Sequence, residues 1–134
     1  MSIYDVFSGG NRPFDKEEWA AAKQAQRKEA YELIDNTCFE MMASGDSFRQ
    51  YLDVQGRFDR YSVANAILVS AQMPEATQLK EYSKWKANRV YVNKDAQKII
   101  ILEPSKEYTR EDGTKGISYN AKVVYDISET SAKD

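Results

Sequence analysis

"FDRYSVANAILVSAQMPEAT", residues 58–77, is the stretch on which the fold turns. From Tyr61 to Met73 nearly every residue is apolar or small, as in a helix buried over most of its surface. Asn65 and Gln72 interrupt it. At about 100° per residue, Tyr61, Asn65, Leu68 and Gln72 share one narrow stripe, and Val63, Ile67 and Ser70 with Ala64 and Ala71 cover the opposite side. Either the seam satisfies backbone groups inside the fold, or it faces a groove where a ligand binds. A buried amide without a partner costs about 1–3 kcal/mol. Both side chains are therefore expected to fix the "MPEAT" turn or the adjacent strand, with part of the seam lining a binding face.

The pattern continues on both sides. The central helix starts at Tyr61 or Ser62 and stops before Pro74, whose ring disfavours helix at the preceding residue. Upstream, Asp15 is an N-cap with Glu18 closing a capping box, and Phe14 and Trp19 form a hydrophobic staple. The helix they open runs to a stop at Gly45, with Trp19, Ala22, Ala30, Leu33, Ile34, Thr37 and Met41 on its inner face. Cys38 beside that face reads as a buried thiol. Asp46 or Ser47 caps a short helix ending near Gly56, and Thr77 caps another over "QLKEYSKWKANR".

Beyond residue 89 the period falls to two. "RVYV" reads as a short strand, and residues 98–103, "KIIILE", as an apolar strand ended by Pro104. In "ISYNAKVVYDI", Ile117, Tyr119, Ala121, Val123, Tyr125 and Ile127 alternate onto one face. Asp112-Gly113 marks the tip of the intervening hairpin. The expected fold is α+β, one domain of N-terminal helices packed on a small antiparallel sheet from the C-terminal half. Residues 1–13 form an extended arm, 14–57 an acidic helical part, 58–130 the core, and 131–134 a polar tail of linker composition.

Composition narrows the function. At 134 residues, 42% hydrophobic and 30% charged, the chain can bury a real core. No apolar run approaches the roughly 20 residues of a membrane span, and the start lacks a secretory signal, so a cytoplasmic protein is expected. One cysteine cannot form an internal disulfide. The absence of histidine removes the usual general base and the commonest zinc ligand, and no phosphate loop or cysteine pair replaces them. The expectation is a protein that is not an enzyme and carries no metal or other cofactor.

The net charge of −2 hides an asymmetry. Residues 1–60 hold eight Lys/Arg against eleven Asp/Glu, whereas residues 80–98 hold six against two, a local +4 interleaved with Tyr82, Trp85 and Tyr91. Such a patch is suited to a single nucleic-acid strand, with bases stacked on aromatic faces and phosphates on cations. Trp85, Tyr82, Tyr91 and Tyr108 are the stacking candidates. Lys84, Lys86, Arg89, Lys94, Lys98, Arg110 and Lys115 are the phosphate candidates, and Asn65 and Gln72 are placed for base edges. A lysine-rich helix face is also commonly a plain wet surface, and a tryptophan on a short helix is commonly a core anchor.

The ordered series Tyr61-Ser62 with Asn65, Gln72-x-Pro74, Ala76-Thr77, Trp85, Arg89-Val90, the Ile99–Pro104 strand and Val124-Tyr125-Asp126-Ile127 resembles the N-terminal domain of ArdC-type antirestriction proteins. The similar domain occurs in TraC-type primases and LtrC-like proteins of conjugative elements. The resemblance runs from about Phe58 to Thr130, a little over half the chain. It implies a single-stranded-DNA-binding domain of a mobile genetic element, with Tyr61 added to the binding residues. The zinc-protease-like C-terminal half of full-length ArdC-type proteins has no counterpart in a chain without histidine. Asn88 stands before Arg89 where the family commonly has glycine, and "NKDAQK" replaces its glycine-containing basic turn. The rival expectation is a protein-interaction module, docking a restriction or conjugation protein through the acidic first helix.

Overall fold

The computed structural model describes residues 15–132. The extended arm and the Phe14 half of the staple lie outside the described residues. Among the described residues, four α-helices precede or flank a three-stranded antiparallel sheet, as the α+β reading expects.

Helix α1, Lys16–Ala43, begins where the Asp15 carboxylate accepts hydrogen bonds from the Glu17 and Glu18 N–H groups. Its inner stripe buries Ala22, Gln26, Ala30 and Thr37, with Trp19, Leu33, Ile34 and Met41 half-buried beside them. The expected stop at Gly45 moves to Ser44. In extended conformation Ser44 gives its N–H to the Glu40 carbonyl, and its hydroxyl accepts from the Ser47 N–H. One serine thus ends α1 and caps α2, Gly45–Arg57, so neither Asp46 nor Ser47 is the cap.

Helix α3, Val63–Gln72, is capped by Ser62, whose hydroxyl accepts from the Asn65 N–H, and it ends at Met73 before Pro74. Ala66 through Ser70 are all buried, so this helix is covered nearly all round. Gln55 of α2 fixes the corner before it by donating to the Phe58 and Tyr61 carbonyls.

The helix expected from Thr77 is divided. Thr77 gives its N–H to the Asp126 carboxylate, Leu79–Lys80 form the short strand β1, and only Tyr82–Ala87 make helix α4. The "RVYV" strand reduces to a single bridge between Val92 and Thr130. Strand β2, Ile99–Thr109, does not stop at Pro104, and it pairs with β3, Lys115–Asp126. Leu102 turns its N–H outward, away from β3, so the missing N–H of Pro104, two residues on, falls on the unpaired side of an edge strand. The register shifts just after it, between Pro104 and Glu107, and the Ser118 hydroxyl bridges the gap by accepting from the Lys106 N–H and donating to the Lys106 carbonyl. The tip closes as expected at Asp112-Gly113, with Gly113 at φ 87°, where a glycine is favoured.

The strand order is β1–β3–β2. One face of the sheet packs Ile99, Ile101 and Val124 against Val54, Phe58, Val69 and Met73. On the other, Leu102 meets Ala30 and Leu68, and Val123 and Tyr125 meet Trp85. The half-buried strand expected from the alternation along β3 is instead covered on both faces at its inner end, where Val123, Val124, Tyr125 and Asp126 are all buried. Ile117 and Tyr119, on the expected inner face, are exposed.

Candidate functional site

The polar seam of α3 lies against the outer edge of β2. Asn65 donates from Nδ2 to the Leu102 carbonyl (2.8 Å) and accepts on Oδ1 from the Leu102 N–H (2.8 Å). Gln72 does the same two residues along: Nε2 to the Ile100 carbonyl (2.8 Å), Oε1 from the Ile100 N–H (2.9 Å). Each amide supplies one donor and one acceptor, the pair that a residue of a neighbouring strand would supply. The helix therefore stands in for a fourth strand. Fixing the adjacent strand is thus realised by both amides; Gln72 gives its second N–H to the Leu68 carbonyl (3.0 Å), whereas Asn65 also lines the clefts described below.

Other expected site residues are similarly committed. Trp85 is 2% exposed, and its indole N–H donates to the Tyr125 carbonyl (2.9 Å), so no base can stack on it. Its neighbour Lys80 places Nζ 4.9 Å from the ring centroid. Arg110 binds the hairpin's own Lys115 carbonyl (2.9 Å), and its guanidinium packs 5.3 Å from the Tyr108 ring. That ring lies across Gly116, where an added Cβ would sit 2.6 Å from the Tyr108 and Arg110 side chains. Lys115 pairs with Glu107 at 3.4 Å. These contacts join the two strands of the hairpin tip, and Tyr108, Arg110 and Lys115 all remain exposed there.

The residues around α4 are displayed, but on different flanks. Tyr82 and Lys86, four apart, share one side of the helix, and Lys84 points to the other. Arg89 has φ 60°, and its N–H bonds the Lys86 carbonyl while the Val90 N–H bonds that of Trp85. This is a Schellman ending with an arginine where glycine is usual. Tyr91 is 63% exposed, and Lys86, Arg89, Lys94 and Lys98 are exposed as well.

Tyr61, Asn65 and Lys84 are brought together by two clefts. The first, about 540 Å³, is walled by Tyr31, Tyr61 and Tyr119 with Arg60, Ser62 and Pro104. The second, about 420 Å³, holds Lys80, Lys84 and Lys122 with Glu81 and Glu103. Tyr61, Asn65, Leu102 and Pro104 wall both, so the clefts meet at the edge of β2. Sequence reasoning did not single out Tyr31, Arg60, Lys80, Tyr119 or Lys122 as site residues. Tyr31 and Tyr119 come from elements far apart in the chain, and only the crossing of α1 over the hairpin makes them neighbours.

The charges in the second cleft are ordered. Lys122 donates to Glu81 at 2.8 Å and lies 3.3 Å from Glu103. The hydrogen bond from Lys122 is the main cause holding the Glu81 carboxyl below its usual range. Partial burial works against the Lys122 ammonium, but the two carboxylates outweigh it and raise its pKa. Burial likewise raises the Tyr61 phenol, with Lys122 pulling it partly back. Among the described residues, no group of three or more His, Cys, Asp or Glu is placed to hold a metal ion, and no helix is long and apolar enough to cross a membrane. Comparison with protein-family models, with curated proteins and with solved structures finds no match to this chain.

Proposed function

We propose that this protein binds single-stranded DNA without catalysing a reaction on it. The observation that carries the reading is the meeting, at Tyr61, of a tyrosine-walled cleft containing Arg60 with a cleft containing Lys80 and Lys84. Stacking on aromatic faces contributes about 1–3 kcal/mol per base, and the cations follow the phosphates. Tyr82, Lys86, Arg89, Tyr91, Lys94 and Lys98 extend the cationic, aromatic surface beyond the groove. The resemblance of residues 58–130 to the ArdC-type N-terminal domain points the same way, to a cytoplasmic DNA-transfer or antirestriction protein of a mobile element. Asn65, Gln72 and Trp85 act in this reading as the frame of the site.

The test is fluorescence anisotropy of a labelled single strand of about 20 bases at two salt concentrations, with duplex as control. Binding should depend little on sequence, and the slope of log K against log salt should be about −0.7 per neutralised phosphate. Absence of binding at low salt would remove the proposal. A second reading, docking of a restriction or conjugation protein on the acidic α1, is favoured by Phe39 and Met42, 75% and 87% exposed near its C-terminus. It predicts binding to such a protein and none to DNA.

A further inference from the structure

We infer that one strand occupies both clefts at once, bending around the edge of β2 so that a base enters the tyrosine cleft while the neighbouring phosphate lies on Lys84. The inference rests on the proposed single-strand binding and goes beyond it by fixing the path and the division of labour.

Three observations carry it. The clefts differ in chemistry: the larger presents aromatic rings from three separate parts of the chain, Tyr31, Tyr61 and Tyr119, with Arg60, and the smaller presents Lys80 and Lys84 beside Lys122, which is paired with Glu81 and Glu103. The wall they share is a narrow rim, formed by the outer edge of one strand where Pro104 withdraws its N–H and by Tyr61 of the neighbouring loop. The rim is also held firmly, because Asn65 fixes Leu102 through both of its backbone groups. A nucleotide is amphipathic in the same sense as this groove, with a flat base on one side of the sugar and a charged phosphate on the other. At about 540 Å³ the tyrosine cleft lies within the roughly 300–1,000 Å³ range of small-ligand pockets.

The path also selects the form of the nucleic acid. A duplex, stiff over about 150 base pairs, cannot fold around a rim one β-strand wide, and its bases are not free to enter the cleft. A single strand meets neither obstacle. Glu81 and Glu103, held against Lys122, keep the lysine cleft from becoming a uniformly cationic surface that would take a duplex from outside.

The experiment uses a nine-residue oligothymidylate with 2-aminopurine at its centre, whose emission falls when the base is stacked. Affinity is followed by anisotropy in the same samples. The protein should quench the probe. Tyr119→Ala, at an exposed position, should weaken binding about tenfold and restore much of the emission. Lys84→Ala should weaken binding and its salt dependence while leaving the quenching at saturation intact. Circular dichroism of both variants reports folding, and Tyr31→Phe, which keeps the ring, should bind as the parent does. Salt-dependent binding with affinity and quenching indifferent to Tyr119→Ala would overturn the inference and leave single-strand binding standing. Failure to bind any single strand would remove the proposed function and the inference together.

Discussion

The sheet has two open edges, and the protein closes them with different chemistry. Along β2 the groups facing outward at Ile100 and Leu102 are an N–H and a carbonyl from each residue, and the partners are the amides Gln72 and Asn65. On the other side β1 covers only Tyr125 and Asp126 of β3. Past it, the carbonyls of Ala121 and Tyr119 receive Lys23 (2.9 Å) and Arg27 (3.4 Å) from α1, while Trp85 reaches Tyr125. Where donor and acceptor must both be met in a half-buried place, only a group carrying both suffices. Where carbonyls face a partly wet helix, a cation serves. Both solutions hide an edge that would otherwise pair with another chain.

The comparison breaks most sharply on the amide edge. Asn65→Leu or Gln72→Leu keeps the bulk but leaves an N–H and a carbonyl of β2 without partners. Since each such group costs about 1–3 kcal/mol, either variant should lose about 3 kcal/mol in urea unfolding. Asn65→Asp should lose nearly as much, because a carboxylate can answer the Leu102 N–H but only repels its carbonyl. Retained stability in both leucine variants would mean that the helix is held by packing alone.

Asp126 joins β1 to the end of β3 and should come next. Its carboxylate, 2% exposed, accepts from the Thr77 and Gln78 N–H groups on one oxygen and from the Ser128 N–H and hydroxyl on the other. Burial opposes its ionisation, but those four hydrogen bonds outweigh burial and hold its pKa below the usual value. A lowered folded pKa means stability that is fully present above the unfolded value of about 3.9 and is lost as pH falls through the folded one. Asp126→Asn should cost about 2 kcal/mol at pH 7 and flatten the stability profile below pH 4. An unchanged acid limb would show that the stability lost there comes from other carboxylates.

The cationic edge should be the weaker of the two. Lys23→Ala and Arg27→Ala each leave a carbonyl that water can reach, so about 0.5–1 kcal/mol is expected from each. A loss equal to that of Asn65→Leu would erase the contrast between the edges.

What was legible in the sequence follows the range of the forces involved. The Asp15 cap, the α3 limits between Ser62 and Pro74, and the Asp112-Gly113 tip depend on residues within four positions, and the sequence displays them openly. The polar seam was visible as a seam because helical geometry puts Asn65 and Gln72 on one stripe. Its partner, 28 to 37 residues away on β2, was not. The same limit explains the missed strand at Leu79–Lys80, whose helical-looking sequence is overruled by pairing with Tyr125 and Asp126. It also explains Trp85. A basic, aromatic stretch reads as an interface until the tertiary fold turns its largest ring inward. The groove lay beyond reach because its tyrosines stand on α1, on the loop before α3 and on β3, and no local pattern links them.

The finest test of the contrast between frame and surface is Arg89. Its left-handed conformation, φ 60°, costs a side-chain residue about 1 kcal/mol relative to glycine. Its side chain is exposed beside Lys86, on the part of the surface proposed to follow phosphates. Arg89→Gly should therefore raise stability by about 0.5–1 kcal/mol while lowering single-strand affinity a few-fold and reducing the salt slope by about 0.7. Arg89→Asn, a residue that tolerates the left-handed region, should recover part of the stability gain with the same loss of affinity. If both variants gain stability with affinity untouched, Arg89 belongs to the frame of α4, and the phosphate path lies on the Lys84 side alone.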